Sequence, residues 1–397
     1  MELSDVVVVS AVRTPMGRFG GTLHKVASYD LGATAIRAAS ARIGLDPAGV
    51  DEVIYGSCRQ AGNGPNPART AGVRGGLDIS VPVQTINMAC PSGMITVIHA
   101  TRALRTGDMT AVMTGGMDSM STIPYLLKNV RFEGFKMGDK TLEDGWSDSI
   151  DPLCGFGMGV TAENLVEKYD IPREEMDEFA VGSHAKAAAA RANGWFDGEI
   201  VPVEVPPAHR KAEAVTFTTD ETIREHTTVE KLGKLRPVFK KGGRVTAGNA
   251  CGMSDGATAL VVTTRERAAA EGWPVLFSVV SHATAACAPE TMGEGPGIAI
   301  PQALDRAGMT LGDMAAYEVN EAFAAQVLTN ERQLNWDRDK LNQHGGAIAL
   351  GHPTGISGAR ILVTLHGVLG RVGGELGVAS ICGGGGVTTA MVIRREN

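Results

Sequence analysis

Cys90 is the residue whose type and position most directly suggest chemistry. It lies in residues 87–93, between an apolar β-like run and a helix-like run that extends to Leu104. Backbone N–H groups at the start of a helix, together with the positive end of its dipole, favour a thiolate. The position therefore predicts a nucleophile, although a cysteine taken alone is more often a small buried core residue.

Three further segments place polar side chains beside β-like runs. Asn320 begins Asn-Glu-Ala-Phe, His352 lies in Gly-His-Pro-Thr-Gly, and Cys382 is followed by four glycines. Ligands of layered α/β sheets gather at such strand ends. We therefore expect these three residues to join Cys90 at one site.

Together these segments resemble the motifs of the thiolase family. The matching patterns are NxxCxSG around Cys90, NEAF at Asn320, GGAIAxGHPxGxSG around His352 and CxGGG at Cys382, in the family's order across essentially the whole chain. The resemblance implies an acyltransferase of the acetyl-CoA C-acyltransferase or acetyltransferase type. Such an enzyme cleaves a 3-oxoacyl-CoA with CoA to acetyl-CoA, or another acyl-CoA, plus a shortened acyl-CoA. The reaction is reversible and proceeds by ping-pong acyl transfer through a cysteine thioester.

The resemblance assigns a role to each residue of the site. Cys90 would carry the acyl group after His352 accepts its proton, and Cys382 would exchange the α-proton of acetyl-CoA. One oxyanion hole would use His352 and a water held by Asn320, and the other the backbone N–H groups of Cys90 and Gly384. The alternatives are a structural histidine, a small core cysteine and, for Asn320, a helix cap or turn residue.

Coenzyme A is expected as a substrate, with no permanently bound cofactor and no metal. By resemblance, Arg224 packs against its nucleotide, whereas Met158, Ala250, Cys251 and Phe323 line the pocket. A basic run from 231 to 244 would either bind the phosphates of CoA or form a solvated face. That run comprises Lys231, Lys234, Arg236, Lys240, Lys241 and Arg244.

Composition limits the classes of partner. The 397 residues are 43% hydrophobic and 20% charged, which is typical of a globular protein. A net charge of -7 gives no long-range attraction to nucleic acid or to an anionic membrane. The six cysteines show no CxxC pair or zinc spacing, and the first residues do not resemble a signal peptide. We expect a cytoplasmic protein without nucleic-acid or membrane partners.

The elements that must position the site predict an α/β fold. Strand-like runs at 6–9, 52–57 and 110–114 alternate with helix-like runs at 29–41 and 94–104. This alternation is typical of a mostly parallel sheet.

Two parts of the sequence echo each other. Ser92-Gly93 opens an apolar helix and a strand then leads to Gly115-Gly116, while Ser357-Gly358 and Cys382-Gly383 repeat this order at nearly equal spacing. The pattern predicts two duplicated βαβ-type halves with both helices buried between sheet layers. With the family resemblance, it predicts a thiolase-like layered α-β-α-β-α core with an inserted loop domain.

Changes in the pattern of polar and apolar residues along the chain indicate the boundaries of the two halves. The N-terminal half would span 1–272, with a core of 1–121 and 250–272 around an inserted loop domain at 122–249. The C-terminal half would span 273–397.

Three positions depart from the family pattern in segments that are expected to lie near the bound substrate. Gly157 replaces a histidine that borders the thioester in many relatives, Cys251 replaces a serine, and Trp146 replaces a smaller apolar residue. Losing an imidazole and a hydroxyl removes two polar contacts of ~1 kcal/mol each and makes room. We therefore expect a longer, branched or aromatic 3-oxoacyl-CoA to be preferred over acetoacetyl-CoA.

The segment 131–139 resembles a tetramerisation loop of the family. It predicts a homodimer at least, and favours a homotetramer. The resemblance also implies a place in fatty acid metabolism through β-oxidation.

Several alternatives share part of the pattern. A ketoacyl-synthase-like condensing enzyme has a second His or Asn where this chain has Cys382, and a Cys/His/Asn hydrolase has no use for the glycine-rich segments. A thiolase subunit for a bulky or aromatic substrate, such as benzoylsuccinyl-CoA, would need a small partner subunit. A non-catalytic thiolase-like subunit would only bind CoA or act as a scaffold.

Overall fold

The structure is a computed structural model that describes residues 5–146, 150–207 and 213–396. Strands and helices alternate along this part of the chain. The strands are β1 Val6–Arg13, β2 Gly17–Arg18, β3 Glu52–Gly56, β4 Val83–Ile86, β5 Ala111–Ser119, β6 Tyr125–Leu126, β7 Glu143–Asp144, β8 Ile150–Asp151, β9 Phe156–Gly157, β10 Val203–Val205, β11 Val215–Phe217, β12 Ser254–Thr264, β13 Phe277–Ala286, β14 Ala316–Val319, β15 Leu376–Gly383 and β16 Val387–Arg395. The helices are α1 Ser28–Ile43, α2 Pro67–Arg74, α3 Ser92–Thr106, α4 Met158–Lys168, α5 Arg173–Ala192, α6 Val229–Gly233, α7 Arg265–Glu271, α8 Gly295–Ala307, α9 Ala324–Leu334, α10 Ala347–Leu350 and α11 Ser357–Val372.

The elements predicted for the first 120 residues are all present. The runs at 6–9, 52–57 and 110–114 fall in β1, β3 and β5, and those at 29–41 and 94–104 fall in α1 and α3. The boundaries differ by a few residues because helix and strand ends are set by caps and pairing rather than by periodicity.

The sheet itself differs from the prediction. Its order is β14-β15-β16-β13-β1-β12-β5-β3-β4, with β2 paired to β12. Only β3, β4 and β5, and the pair β14 and β15, run parallel, so the sheet is mixed rather than mostly parallel. The cause is β12, which returns after the insertion and lies antiparallel between β1 and β5. Two residue pairs between β1 and β13 join the two halves of the sheet.

Strand β1 separates two apolar cores. Val6 and Val8 point into the core that contains α3 and α11, whereas Val7 and Val9 point into the core that contains α1 and α2. Successive residues of a strand face opposite sides. The uninterrupted valine run therefore reflects a strand that is buried on both faces.

Helices α3 and α11 form the middle layer of the fold. Their apolar side chains share one core with β5 and β12 on one side and with β15 and β16 on the other. Helices α1 and α2 cover one outer face of the sheet, and α8 covers the other. The layers therefore follow the predicted order α-β-α-β-α.

Two glycines allow the middle helices to touch. A Cβ on Gly93 would lie 2.7 Å from the backbone N of Ala359, and one on Gly358 would lie 2.6 Å from the backbone N of Met94. The absence of a side chain at both positions lets the backbones approach closely. The repeated Ser-Gly pairs thus place the starts of α3 and α11 side by side.

The segment between β5 and β12 lies outside the main sheet. Its strands form three separate two-stranded sheets, β6-β7, β8-β9 and β10-β11, within the described residues. Its longest helix is α5, which corresponds to the alanine-rich run from Arg173 in the sequence. No helix in the described ranges has the length and apolar character needed to cross a membrane.

We expect Gly358→Ala to lower the free energy of unfolding by ~1–3 kcal/mol, since the added methyl overpacks the contact with Met94. Gly367→Ala is the matched control in α11, because a Cβ at Gly367 would meet no atom within 4 Å. That change should be neutral or slightly stabilising through helix propensity. Urea unfolding of both variants tests this, and equal stabilities would contradict the role of the glycine contact.

Candidate active site

One cavity of about 850 Å³ lies where the starts of the middle helices meet the insertion. Eight of the ten predicted site residues line it. They are Cys90, Met158, Ala250, Cys251, Phe323, His352, Cys382 and Gly384. Asn320 and Arg224 are not among its described lining residues.

Cys90 lies in a strained turn that Ser92 stabilises. The preceding residue, Ala89, has a positive φ of 54°, which is costly for a residue with a side chain. The Ser92 hydroxyl donates to the Ala89 carbonyl at 2.6 Å and accepts from the Met88 N–H at 2.8 Å. The serine of the NxxCxSG pattern therefore holds the turn that presents Cys90.

The glycine run after β15 packs directly against this turn. A Cβ on Gly383 would lie 2.5 Å from Cδ of Pro91, so only glycine fits there. The backbone N–H of Gly384 donates to the Cys90 sulfur. The two cysteine segments, although distant in sequence, thus form adjacent walls of one site.

Burial decides the protonation of both cysteines. It raises the pKa of Cys90 to about 12, outweighing the N–H groups of Gly384 and Cys90 itself and the charge of Arg59, which act in the opposite direction. Burial also raises the pKa of Cys382 well above its usual value. The helix start favours a thiolate, as predicted, but the resting Cys90 is a neutral thiol that needs a base.

The geometry of His352 suits a proton acceptor. Ser357 donates its hydroxyl proton to the Pro353 carbonyl at 3.0 Å, so its oxygen accepts from Nδ1 of His352 at 2.6 Å. Nδ1 therefore carries the hydrogen, and Nε2 keeps its lone pair with no hydrogen-bond partner in the described residues. Burial lowers the pKa of His352 to about 3, aided by the charges of Arg360 and Arg59. The imidazole is neutral at physiological pH.

Asp118 anchors the loop that follows His352. Its carboxylate accepts from the N–H of Gly355 at 2.5 Å, from the hydroxyl of Thr354 at 2.9 Å and from the N–H of Arg59 at 3.0 Å. A Cβ on Gly116 would lie 2.3 Å from the Gly355 carbonyl oxygen. The Gly-Gly pair of β5 therefore makes room for the loop. Sequence reasoning missed Asp118, whose only signal is its place just after that pair.

Asn320 and its neighbour have different environments. The Asn320 backbone N–H donates to the Ser380 carbonyl at 3.0 Å, which fixes it beside β15, the strand that contains Cys382. Its buried side-chain amide makes no hydrogen bond within the described chain. Glu321 instead accepts from Ser183 at 2.6 Å and from Asn342 at 2.9 Å, so it joins helix α5 to the core.

The predicted pocket-lining residues share one wall. Ala250 and Phe323 form a β-bridge, and the N–H of Cys251 donates to the Ala322 carbonyl at 3.0 Å. The sulfur of Met158 would lie 3.4 Å from a Cβ on Gly384. This wall is apolar and continues to the glycine run.

Arg224 lies in a second, smaller cavity of about 420 Å³ that Lys231 and Leu232 also line. Leu232 belongs to the same apolar cluster as Phe323. The other members of the basic run are exposed, and two of them pair with neighbouring groups. Lys240 pairs with Glu167, and Arg244 donates to the Ile171 carbonyl and to Asp170.

The cavity is also lined by residues that sequence reasoning missed. The guanidinium of Arg59 lies over the Trp146 ring, 4.6 Å from its centroid, a cation–π contact. Cys58 and Asp151 also line the cavity. Trp146 is the one residue of this group that the sequence analysis connects with the acyl group; the signal for Arg59 is a charged residue three positions after the end of β3. In the described ranges, no group of His, Cys, Asp or Glu side chains is arranged to hold a metal ion.

The layered fold and the cysteine cavity together define the thiolase class of α/β proteins, and comparisons with known proteins agree. Family models for the thiolase N-terminal and C-terminal domains match residues 6–266 and 273–395. The acetyl-CoA acetyltransferase of Cupriavidus necator is 46% identical over 396 residues, which cover 99% of this chain and 100% of that protein. The crystal structure of the Bacillus anthracis acetyl-CoA acetyltransferase matches with a TM-score of 0.96, and that of human mitochondrial 3-ketoacyl-CoA thiolase in complex with CoA with 0.94. Both are 41% identical to this chain and match it over 100% of each chain.

The chain therefore belongs to the thiolase family. It is an acyltransferase that carries out the thiolase reaction, and the predicted family and fold class are confirmed. The comparisons support neither a non-catalytic scaffold nor a subunit that depends on a small partner.

We expect the free energy of unfolding to decrease as the pH falls from 7 to 5, and His352 to contribute to this decrease. Its pKa is about 3 in the folded state, against 6.5 for a free histidine. Between these values the unfolded chain binds more protons, so acid favours unfolding. Urea unfolding at pH 7, 6 and 5 should show a smaller pH dependence for His352→Asn than for the wild type. An identical pH dependence would contradict the neutral buried imidazole.

Proposed function

We propose that Cys90 is the nucleophile of a reversible thiolysis of 3-oxoacyl-CoA. The observation that carries this proposal is the convergence of Cys90, Cys382 and the neutral His352 on one cavity. A thiol, a base and a second thiol are the groups that acyl transfer with enolate formation requires. CoA is the second substrate.

The first half-reaction follows from this geometry. The Cys90 thiol passes its proton to Nε2 of His352, and the sulfur attacks the 3-oxo carbon. The N–H groups of Cys90 and Gly384 stabilise the oxyanion. The bond between C2 and C3 then breaks, leaving the acyl group on Cys90 and an enolate on the departing acetyl-CoA.

Cys382 completes this half-reaction as the proton donor to the enolate carbon. A neutral thiol is the required state, and the raised pKa of Cys382 maintains it. His352 and a water held by Asn320 stabilise the enolate oxygen. The buried Asn320 amide, which makes no hydrogen bond among the described residues, supports this role. In the second half-reaction, the Cys382 thiolate takes the proton of the CoA thiol, and the CoA sulfur attacks the thioester on Cys90. The shortened acyl-CoA is released, and the departing Cys90 thiolate recovers its proton from His352.

CoA would bind along the apolar wall, with its nucleotide toward Arg224. Met158, Ala250, Cys251 and Phe323 form this wall, and Arg224 lines the smaller cavity together with Leu232, which packs in the same apolar cluster as Phe323. The relative that was solved with CoA shares 41% of its residues with this chain. An arginine beside the path supports binding of an anionic cosubstrate.

Mass spectrometry after brief exposure to acyl-CoA tests the two thiols separately. Cys90→Ala should abolish covalent acylation, whereas Cys382→Ala should be acylated by acetyl-CoA yet condense it at least ~100-fold more slowly. Cys154→Ala is the matched control, because Cys154 does not line the cavity. Acylation of Cys90→Ala would overturn the proposal, and near wild-type condensation by Cys382→Ala would overturn the proton-donor role.

We further propose that the acyl subsite prefers a chain bulkier than acetoacetyl. A Cβ on Gly157 would meet no atom within 4 Å, although Gly157 lines the cavity. Space is therefore open at this position. Trp146, whose ring packs against Arg59, supplies an apolar surface that lines the same cavity, which supports longer, branched or aromatic chains.

A larger side chain at Gly157 should weaken the preference for bulky 3-oxoacyl chains. In the wild type, kcat/KM should be higher for bulky 3-oxoacyl-CoA esters than for acetoacetyl-CoA. Gly157→Leu should lower the ratio by ~10-fold or more, since one or two methylenes decide such discrimination. Gly182→Leu, in α5 and equally uncrowded, is the control and should leave the ratio unchanged. A wild type that prefers acetoacetyl-CoA over every bulkier ester would refute the proposal.

The remaining proposals concern the setting of the enzyme. A homodimer or homotetramer is supported by the exposed apolar side chains Phe132, Phe135 and Met137 in the segment that resembles a tetramerisation loop. Six free cysteines support a reducing, cytoplasmic setting, and the likeness to a 3-ketoacyl-CoA thiolase supports a role in β-oxidation. We also propose that the halves divide at 272, between α7 and β13.

A further inference from the structure

Asp151 makes a contact that joins the insertion to the catalytic glycine run. It ends β8, which pairs with β9 in a short hairpin whose residues line the cavity. One carboxylate oxygen accepts from the Leu153 N–H at 2.9 Å, inside the hairpin. The other accepts from the Gly385 N–H at 2.7 Å, across 234 residues of sequence.

The peptide that Asp151 holds is next to the one that faces Cys90. Gly385 has a positive φ of 81°, and its neighbour Gly384 donates to the Cys90 sulfur. A run of glycines has no side chains to fix its peptide planes. At its far end the run is held by the N–H of Cys287, which donates to the Gly386 carbonyl at 2.8 Å.

We propose that Asp151 is a positioning residue for acyl transfer: by accepting from Gly385 it fixes the Gly384 N–H toward the reacting sulfur and carbonyl. This rests on the proposed function of Cys90 and Gly384. The carboxylate is buried, and a charged acceptor on a backbone N–H is among the stronger hydrogen bonds. Each of its oxygens accepts from a backbone N–H, which fixes the orientation of the carboxylate.

The hairpin that carries Asp151 makes a second contact with the glycine run. The hairpin leads directly into Met158, whose sulfur packs on Gly384. The insertion therefore contacts the glycine run twice, once through packing of Met158 beside Gly384 and once through the hydrogen bond from Gly385 to Asp151. A hairpin displaced from the cavity would release both constraints on the glycine run.

Steady-state thiolysis by the full-length chain tests this. Asp151→Ala should lower kcat at least ~10-fold with KM for CoA changed less than ~3-fold, because a misaligned donor affects the transition state rather than binding. Asp151→Asn keeps an uncharged oxygen that accepts from Gly385, and should recover most of kcat. Asp78→Ala is the control, since Asp78 accepts from Ser80 at 2.8 Å in an exposed turn.

The outcomes separate this role from a structural one. The proposal would be overturned if Asp151→Ala kept the wild-type kcat, or if it changed only KM. It would also be overturned if kcat fell equally in Asp151→Ala and Asp151→Asn. If Asp151→Ala does not fold, as judged by thermal melting, the comparison of Asp151→Asn with the wild type decides, with a kcat reduction of ~2–5-fold at unchanged KM expected. If both Asp151 variants keep the wild-type kcat while Cys90→Ala is not acylated, the positioning role of Asp151 is overturned and the proposed function of Cys90 stays intact.

Discussion

The contact between α3 and α11 through Gly93 and Gly358 is the constraint on which the rest of the site depends. It brings the starts of two helices from different halves within backbone distance. The turn before α3 carries Cys90, and the loop before α11 carries His352. A side chain at either glycine would separate the helices, and with them Cys90 and His352, the proposed nucleophile and base. The backbone contact at Gly93 and Gly358 therefore determines both the packing of the middle helices and the distance between Cys90 and His352.

Burial gives the site its electrostatic character. Cys90, Cys382 and His352 are all uncharged at rest, because removing each from water disfavours its ionised form. The thiolate and imidazolium then form together, only when the proton moves, and the N–H groups of Gly384 and Cys90 already point toward the sulfur. Donors that are oriented before the charge develops require little reorganisation. The same burial keeps Cys382 protonated, as an enolate-quenching acid must be.

The sequence predicted the site better than it predicted the sheet. Eight of the ten predicted site residues line one cavity, because short motifs set the local turns that present Cys90, His352 and Cys382. The position of β12 in the sheet was not predictable, because the residues of a strand that follows a long insertion do not indicate which strands it pairs with. Asp118 and Asp151 were missed for a related reason. Each acts through hydrogen bonds to backbone N–H groups far away in sequence, and a carboxylate that accepts such bonds looks in the sequence like any other acidic residue.

The insertion completes the cavity that the core begins. The core supplies the nucleophile, the base and the second thiol, whereas Met158, Trp146 and Asp151 come from the insertion. Gly157 leaves space at the acyl end, and Asp151, only six residues earlier, holds the glycine run through Gly385. The position proposed to shape the acyl subsite and the residue proposed to orient the Gly384 N–H thus share one short hairpin. If both proposals hold, changes in that hairpin act on substrate choice and on rate together, whereas changes in the helix contact act on the assembly of the site as a whole.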